Sequence, residues 1–248
     1  MPHLSTPIRI AALTATAVLL TSCSDSGGGD SGGGDPPSEP SRDFVSATRL
    51  TDAADEATLA PGRYAMGFVS PEPDPPMVLI EVPAGYHGRG DGYEITGADE
   101  SSGFRHLDTW TVDVVATRAC GDTEWKDPGP SVADLADALR SLSVWETTPP
   151  VPVTIGGHEG VFMELNVPAR LRGACRTELS SWRDHLGGFQ GIGAGKAQLL
   201  WIVEVDGQRL MLVVGYFPGP NGPSPRLVAE MVAMAETAEF VDADQVAP

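Results

Sequence analysis

The sequence predicts an α+β fold in which helices cover a mainly antiparallel sheet. Three observations indicate this: two apolar runs joined by an Asp-Gly turn, several earlier segments in which apolar and polar residues alternate, and two segments with the apolar spacing of an amphipathic helix. Strands that follow one another through short turns pair antiparallel, and neighbouring helices bury their apolar stripes against the sheet. We therefore expect one layered domain with helices on its faces.

The early strands are predicted from alternation and from the position of a proline. Residues 63–68 and 77–82 are rich in apolar residues, and the second segment ends at Pro83, which cannot continue a strand ladder. Apolar and polar residues also alternate over 110–114 and 161–167. Each of these four segments is long enough to form one strand.

The strongest local signal is a hairpin near the C-terminus. Asp206-Gly207 separates two apolar runs and favours a two-residue turn, because both turn positions take positive φ. The register set by that turn places Glu204 opposite Arg209 as a pair of opposite charge. Both faces of the hairpin are largely apolar, so we expect it to lie centrally in a sheet that is covered on both sides. The two runs are residues 199–205 and 208–214.

Two helices are predicted from their caps and apolar stripes. Ser131 precedes the first helix as its N-cap, and Asp134 stands three residues later, as in a capping box. Ser224 caps the second helix, and Pro225 occupies its first turn. The stripes are Val132, Leu135, Leu139 and Leu142 in the first helix, and Leu227, Val228, Met231, Val232 and Ala235 in the second.

The N-terminus has the pattern of an export signal followed by a tether. Residues 1–22 contain a short apolar run, and the segment Leu20-Thr21-Ser22-Cys23 resembles the lipobox of bacterial lipoproteins. The resemblance implies cleavage before Cys23 and attachment of fatty acids such as palmitate at this residue. Residues 23–43 are expected to be the lipidated cysteine and a flexible Gly/Ser/Asp/Pro linker, and residues 44–248 a single globular domain.

The two remaining cysteines, Cys120 and Cys175, indicate one disulfide. An exported chain enters an oxidising compartment, and these residues have neither the Cys-x-x-Cys spacing of a redox pair nor neighbouring histidines that would complete a metal site. The bridge would close a loop of about 55 residues and stabilise the fold by roughly 4 kcal/mol.

The chain also resembles the PsbP-like fold, whose members include surface lipoproteins of actinobacteria. The resemblance is carried by the lipobox, the segments MVLIEVPAGY (77–86) and VTIGGHEGVFMEL (153–165), and the terminal hairpin with its helix. Nearly all basic residues are arginine, which is typical of high-GC bacterial genomes. The resemblance implies an α/β sandwich but no activity, because that fold hosts unrelated functions.

Composition and motifs exclude several function classes. With 34 acidic and 16 basic residues, the formal charge is −18, which disfavours nucleic acid as a partner. Gln190 and Ala197 occupy positions where a phosphate-binding loop needs Gly and Ser or Thr. The sequence contains no Gly-x-Ser-x-Gly elbow and no His-Glu-x-x-His spacing, so we predict neither a metal site nor a cofactor.

Aromatic residues near the cysteines form a candidate binding rim. Trp125 and Trp182 each follow a cysteine closely, so the expected disulfide would bring their loops together. His185 and Phe189 come shortly after Trp182. Exposed aromatic side chains on a stapled loop are typical contact residues. We use the name candidate rim for Trp125, Trp182, His185 and Phe189.

These observations favour a lipoprotein on the extracytoplasmic face of a cell membrane that acts as a non-catalytic binding or accessory module. The expected partners are the membrane, through the lipid, and an envelope protein or a small apolar ligand. The alternative is an extracytoplasmic hydrolase with an unrecognised active site around His106 or His185; His106, Asp108 and a distant serine could form a triad, although their spacing predicts none. A purely structural envelope component is a third interpretation.

Overall fold

A long antiparallel sheet runs through the centre of the fold. The structure is a computed structural model that describes residues 44–69, 75–97, 99–120, 123–142, 144–171 and 178–247, all within the unit Arg42–Pro248. The described residues contain three sheets and two α-helices. The signal peptide, the lipidation residue Cys23 and the linker lie outside the described residues.

The strands and helices have the following bounds. The strands are β1 (Thr48–Arg49), β2 (Ala57–Thr58), β3 (Gly62–Met66), β4 (Met77–Val82), β5 (Tyr86–Gly88), β6 (Glu94–Gly97), β7 (Arg105–Trp110), β8 (Val114–Arg118), β9 (Glu124–Lys126), β10 (Glu146–Thr147), β11 (Val151–Ile155), β12 (His158–Asn166), β13 (Glu178–Arg183), β14 (Phe189–Gly193), β15 (Ala197–Val205), β16 (Gln208–Tyr216) and β17 (Glu239–Val241). The helices are α1 (Val132–Ser141) and α2 (Pro225–Glu236).

The predicted hairpin forms the middle of the central sheet. The sheet order is β10-β12-β15-β16-β7-β6-β5-β2, with β11 paired to β12. Asp206 and Gly207 have φ of 49° and 80°, and Glu204 pairs with Arg209 in the ladder. The predicted turn, register and central position are therefore confirmed. Arg209 nevertheless directs its guanidinium to the carbonyls of Val112 (2.6 Å) and Gly129.

Each face of the central sheet packs against a smaller sheet and one helix. On the first face, apolar residues of β15 and β16 contact β3, β4 and α2, with Trp201, Leu212 and Met231 in the same buried cluster. The smaller sheet there has the order β1-β3-β4-β17. On the second face, Leu200 and Val213 pack with α1 and with the sheet β14-β13-β8-β9. The alternation along β15 and β16 thus supplies two separate cores.

The predicted helix-covered α+β sandwich is wrong, because the structure is mainly β. Two helices of 10 and 12 residues cover only part of each face, and small sheets cover the rest. The resemblance to the PsbP-like fold is not confirmed. Both helices begin at the predicted caps: the Ser131 hydroxyl accepts from the Asp134 amide, and the Ser224 hydroxyl accepts from the Leu227 amide. The error therefore lies in the strands that the sequence analysis did not detect.

One predicted strand is in fact two strands in different sheets. The segment 110–114 ends β7 at Trp110 and begins β8 at Val114. Between them, the Asp113 amide donates to the Arg183 carbonyl at 2.8 Å, and the Thr111 hydroxyl donates to the Val69 carbonyl. These contacts turn the chain from the central sheet into the sheet that covers its second face.

The predicted disulfide is not confirmed. Cys120 follows β8 and is disulfide-bonded, but Cys175 lies outside the described residues, so no complete disulfide falls among them. Within the described part of the chain, we find no helix that is both long and apolar enough to cross a membrane.

Candidate functional site

A polar cluster interrupts the second face of the central sheet at one end. Along β7, Leu107 packs in the first core, so the residues on either side of it, His106 and Asp108, point to the second face. Glu94 on β6 pairs with Asp108 in the ladder and lies on the same face. His106 and Asp108 are buried, although neighbouring positions on this face are apolar. Buried charged residues in a central sheet call for a functional explanation.

A cleft of about 420 Å³ opens over this cluster. It lies between strands β6 and β7 of the central sheet and β14, which contributes Gln190 and Gly191 to its wall. This volume falls within the range of about 300–1,000 Å³ that is typical of small-molecule sites. The ionisable residues that line the cleft are Asp91, Tyr93, Glu94, His106, Asp108, Asp184 and Lys196.

His106 holds the two carboxylates together. Its Nδ1 atom lies 3.3 Å from Glu94 Oε1 and 3.6 Å from Asp108 Oδ2. Burial alone would raise the pKa of Glu94, but the hydrogen bond and charge of His106, with the charges of Arg89 and Lys196, outweigh it and lower that pKa. Glu94 therefore keeps its negative charge beside the imidazole.

Asp108 is in the opposite electrostatic situation. Burial raises its pKa, and the charge of His106, the nearby Trp110 donor and the charge of Lys196 reduce this effect without cancelling it. Asp108 is only 6% exposed, and its Oδ1 atom has no hydrogen-bond partner among the described residues. One carboxylate of the pair thus favours ionisation and the other favours a bound proton.

A glycine makes room for the imidazole. Gly215 on β16 pairs with His106 on β7, and a Cβ placed on Gly215 would overlap His106 Nε2 and lie 3.0 Å from Lys196 Cε. Any larger residue at this position would displace both side chains. Gly215 therefore allows a ring and a lysine stem to lie flat against the sheet.

Phe104 lines the cleft, and Phe217 packs beside Phe104; we call these two rings the aromatic entrance. The Phe104 ring centroid lies 5.3 Å from that of His106 and 6.1 Å from that of Phe217. Lys196 Nζ lies 5.9 Å from the Phe104 centroid. Phe104 is 47% exposed and Phe217 is 37% exposed. Two half-exposed aromatic rings beside a polar cleft provide an apolar surface for a ligand.

The comparisons with known proteins leave the family open. No protein-family model matches the chain, and no curated protein matches it. Among solved structures, the chain is similar to the crystal structure of LpqN, involved in cell envelope biogenesis of Mycobacterium tuberculosis, with 10% identity and a TM-score of 0.36. The match covers 72% of this chain and 90% of that chain. A likeness at this level supports no conclusion about function.

The candidate rim does not form one continuous surface. Trp182 is 0% exposed and packs in the second core, with its ring centroid 6.1 Å from that of Trp110. Trp125 on β9 is half-buried beneath the Arg183 guanidinium, 4.1 Å from its ring centroid. His185 is half-buried in the turn after β13, and Phe189 begins β14. Trp182 therefore cannot contact a partner, whereas Trp125 and His185 keep exposed surface.

The sequence analysis missed most of the cleft. It considered His106 and Asp108 only for the alternative hydrolase, and it did not select Glu94, Lys196 or Phe104. The sequence of β7 did contain a usable signal. His106 and Asp108 are two ionisable residues at alternate positions of one strand, so they lie on the same face. Lys196 and Gln190 belong to the Gly-rich segment that lacks the residues of a phosphate-binding loop, and residues 189–193 of this segment form β14.

The cleft has groups that can bind a ligand and exchange protons with it, but the described residues that line it include few nucleophiles. The hydroxyls that line it belong to Tyr93 and Thr109, and Thr109 Oγ1 donates to the Gly67 carbonyl at 2.6 Å. No serine or cysteine is among the described residues that line it. The described part of the chain also contains no group of three or more His, Cys, Asp or Glu residues that could hold a metal ion.

Proposed function

We propose that this protein is a membrane-tethered binding module of the bacterial cell envelope, and that the cleft over His106, Glu94 and Asp108 is its ligand site. The observation that carries the proposal is Asp108: it is buried and lines the cleft, and its Oδ1 atom has no hydrogen-bond partner within the described part of the chain. An unpartnered buried polar atom costs about 1–3 kcal/mol. A bound ligand that donates a hydrogen bond to Asp108 would offset this cost.

The tether follows from the N-terminal sequence. Lipidation of Cys23 would attach the chain to the membrane, since two or three acyl chains hold a protein firmly. The 17 residues from Ser24 to Pro40 would reach about 20 to 25 Å if they behave as a flexible coil. The net charge of −18 opposes attraction to anionic headgroups, so the lipid would supply the attachment.

The cleft favours a polar ligand over the apolar ligand expected from the sequence. Four carboxyl groups, one imidazole and one lysine line it, and each must be desolvated when a ligand enters. An apolar ligand cannot repay that cost, whereas a hydrogen-bonding ligand can. The aromatic entrance at Phe104 and Phe217 would then supply the apolar part of the contact.

The alternative is a hydrolase that uses the same cluster. Its support is the contact of His106 with two carboxyl groups whose pKa values shift in opposite directions, a pattern common in acid–base catalysis. The scarcity of nucleophiles among the described lining residues weighs toward binding. A hydrolase that activates water directly would still need Asp108 or Glu94.

Native mass spectrometry of the full chain extracted from its membrane tests the proposal. We expect a bound mass beyond the acyl groups in the wild type and in the matched control Asp137→Asn, which alters an exposed carboxylate on α1. The Asp108→Ala variant, which removes the Oδ1 acceptor itself, should lose it. Equal retention in all three proteins would place the ligand elsewhere, and a bare wild-type protein would contradict stable binding. A product whose appearance depends on Asp108 or Glu94 would favour the hydrolase.

A further inference from the structure

We infer that the ligand of this cleft is a neutral polyhydroxylated molecule, of the chemical class of sugars; the inference rests on the proposed function of the site. Its starting point is a pair of buried atoms, Asp108 Oδ1 and Trp110 Nε1. Both side chains line the cleft, and neither atom has a hydrogen-bond partner among the described residues.

The pair combines an acceptor with a donor. The indole Nε1 of Trp110 can only donate, and an ionised Asp108 can only accept. The Trp110 side chain approaches Asp108 closely enough to favour its ionised form as a hydrogen-bond donor, but Nε1 and Oδ1 both remain without a hydrogen bond of normal geometry. A ligand hydroxyl can accept from the indole and donate to the carboxylate at the same time. A ligand ammonium group could donate to Asp108 but could not accept from Trp110, and a ligand carboxylate could accept from Trp110 but could not donate to Asp108.

A hydroxyl also suits both protonation states of Asp108. If Asp108 holds a proton, its carboxyl group donates one hydrogen bond and still accepts another. A hydroxyl reverses its role by rotating its proton, whereas a charged ligand group cannot. The match therefore does not depend on the charge of Asp108.

The charges around the cleft favour a neutral molecule. Asp91, Glu94 and Asp184 oppose the entry of an anion. Lys196 opposes a cation at the centre of the same cleft. Because both signs line one small volume, an alternating array of donors and acceptors binds better than a net charge.

The aromatic entrance fits the remaining surface of a sugar. A pyranose or furanose ring has an apolar C–H face in addition to its hydroxyls. Phe104 and Phe217, with centroids 6.1 Å apart and both partly exposed, offer an apolar patch beside the polar cluster. A polyol without a ring would use the hydrogen bonds but would leave this patch largely uncovered.

Isothermal titration calorimetry of the full chain in detergent tests the ligand class. The probes are the neutral sugars galactose, arabinose, mannose and trehalose at millimolar concentrations, with choline chloride and sodium acetate as charged probes. We expect at least one sugar to bind and neither charged probe to compete with it. Trp110→Phe, which keeps an aromatic ring but removes the N–H donor, should weaken sugar binding roughly tenfold.

Matched variants separate the site from the fold. Asp108→Ala should also weaken the sugar by tenfold or more. Trp145→Phe is the control, because it removes an indole N–H that donates to the Leu139 carbonyl outside the cleft, and it should bind as the wild type does. Circular dichroism melting checks that each variant is folded. Competitive binding of choline or acetate, abolished by Asp108→Ala, would overturn the sugar assignment while leaving the proposed site intact. Binding of no probe at all would also overturn it, and the mass-spectrometric experiment then decides the proposed function separately.

Discussion

The imidazole of His106 packs against Gly215 on the neighbouring strand, so closely that a Cβ at Gly215 would overlap its Nε2 atom. This contact sets the position of Nδ1 against Glu94 and Asp108 on the other side of the ring. The polar cluster therefore depends on a glycine that carries no functional group. The site thus requires the absence of a side chain at Gly215 as well as the ionisable groups around it.

Gly215→Ala should disrupt the cluster. The new Cβ would overlap His106 Nε2, so the ring must move away from the sheet, and we expect a loss of about 1–3 kcal/mol of stability. Chemical denaturation measures that loss, and calorimetry measures ligand binding. Gly193→Ala is the matched control, because its Cβ would meet Phe217 at 3.4 Å, an ordinary contact. Equal stability of the two variants would contradict the described packing of His106.

Asp108→Asn should change the pH dependence of stability. Burial raises the pKa of Asp108, so between the usual pKa of 3.8 and the raised value the folded state holds a proton that the unfolded state has released. Stability contributed by this group therefore falls as pH rises through that window. The free energy of unfolding of Asp108→Asn, measured relative to the wild type, should increase from acid to neutral pH. A difference that stays flat with pH would contradict the shift.

Glu94→Gln should show the opposite sign. Burial opposes the ionisation of Glu94, but the hydrogen bond and charge of His106 outweigh it, so the folded pKa lies below 4.5. Glu94 therefore contributes stability above pH 4.5 that is lost as pH falls through its folded pKa. Relative to the wild type, Glu94→Gln should be destabilised at neutral pH and should approach it in acid. Urea denaturation at several pH values measures the stability of both carboxyl variants relative to the wild type. If the two stability differences changed with pH in the same direction, the opposite pKa shifts of Glu94 and Asp108 would be refuted.

Trp182→Ala should cost about 3–5 kcal/mol, because the residue is fully buried in the second core. Trp125→Ala removes a half-buried ring and its contact with Arg183, so a loss of about 0.5–1 kcal/mol is expected from that interaction. Thermal melting followed by circular dichroism compares the two. A small effect at Trp182 would indicate an exposed ring and would restore it to the candidate rim.

Arg209→Met should destabilise the fold by about 2 kcal/mol. The guanidinium joins β16 to the loops before β8 and before α1 by donating to the carbonyls of Val112 and Gly129. Glu204 is exposed and lies opposite Arg209 in the strand ladder. Its replacement should change stability by less than about 0.5 kcal/mol. Denaturation of both single variants measures this contrast. Equal losses would show that the cross-strand charge pair matters more than the carbonyl contacts.

Ser131→Ala should cost about 1 kcal/mol, because it removes the hydroxyl that accepts from the Asp134 amide in the capping box. Ser141→Ala, in the last turn of the same helix, is the control: its hydroxyl only donates to the Ala138 carbonyl. We expect the control to stay within about 0.5 kcal/mol of the wild type. Urea denaturation distinguishes the two, and indistinguishable midpoints would rule out the cap.

The candidate site shows why sequence reasoning found so little of it. Glu94, His106 and Asp108 come from adjacent strands, whose order depends on pairings between distant parts of the chain. Lys196 and Gln190 line the cleft from a Gly-rich segment that matches no known binding motif. The alternation of His106 and Asp108 in β7 was readable, but alternation alone does not say what lies opposite. A binding site built from single residues of many strands leaves no motif.

The sequence by itself determined the local features of this protein. Asp206-Gly207 imposed a turn with positive φ and thereby the register of β15 with β16, and Ser131 and Ser224 set the starts of both helices. Such features depend on residues a few positions apart, whose energies act wherever the segment lies. Only the tertiary structure decided that the chain leaves the central sheet between Trp110 and Val114, that small sheets cover both faces, and that His106 meets Gly215 beneath a cleft. Those outcomes depend on which distant strands bury the most apolar surface together, and this competition is settled by the whole chain at once.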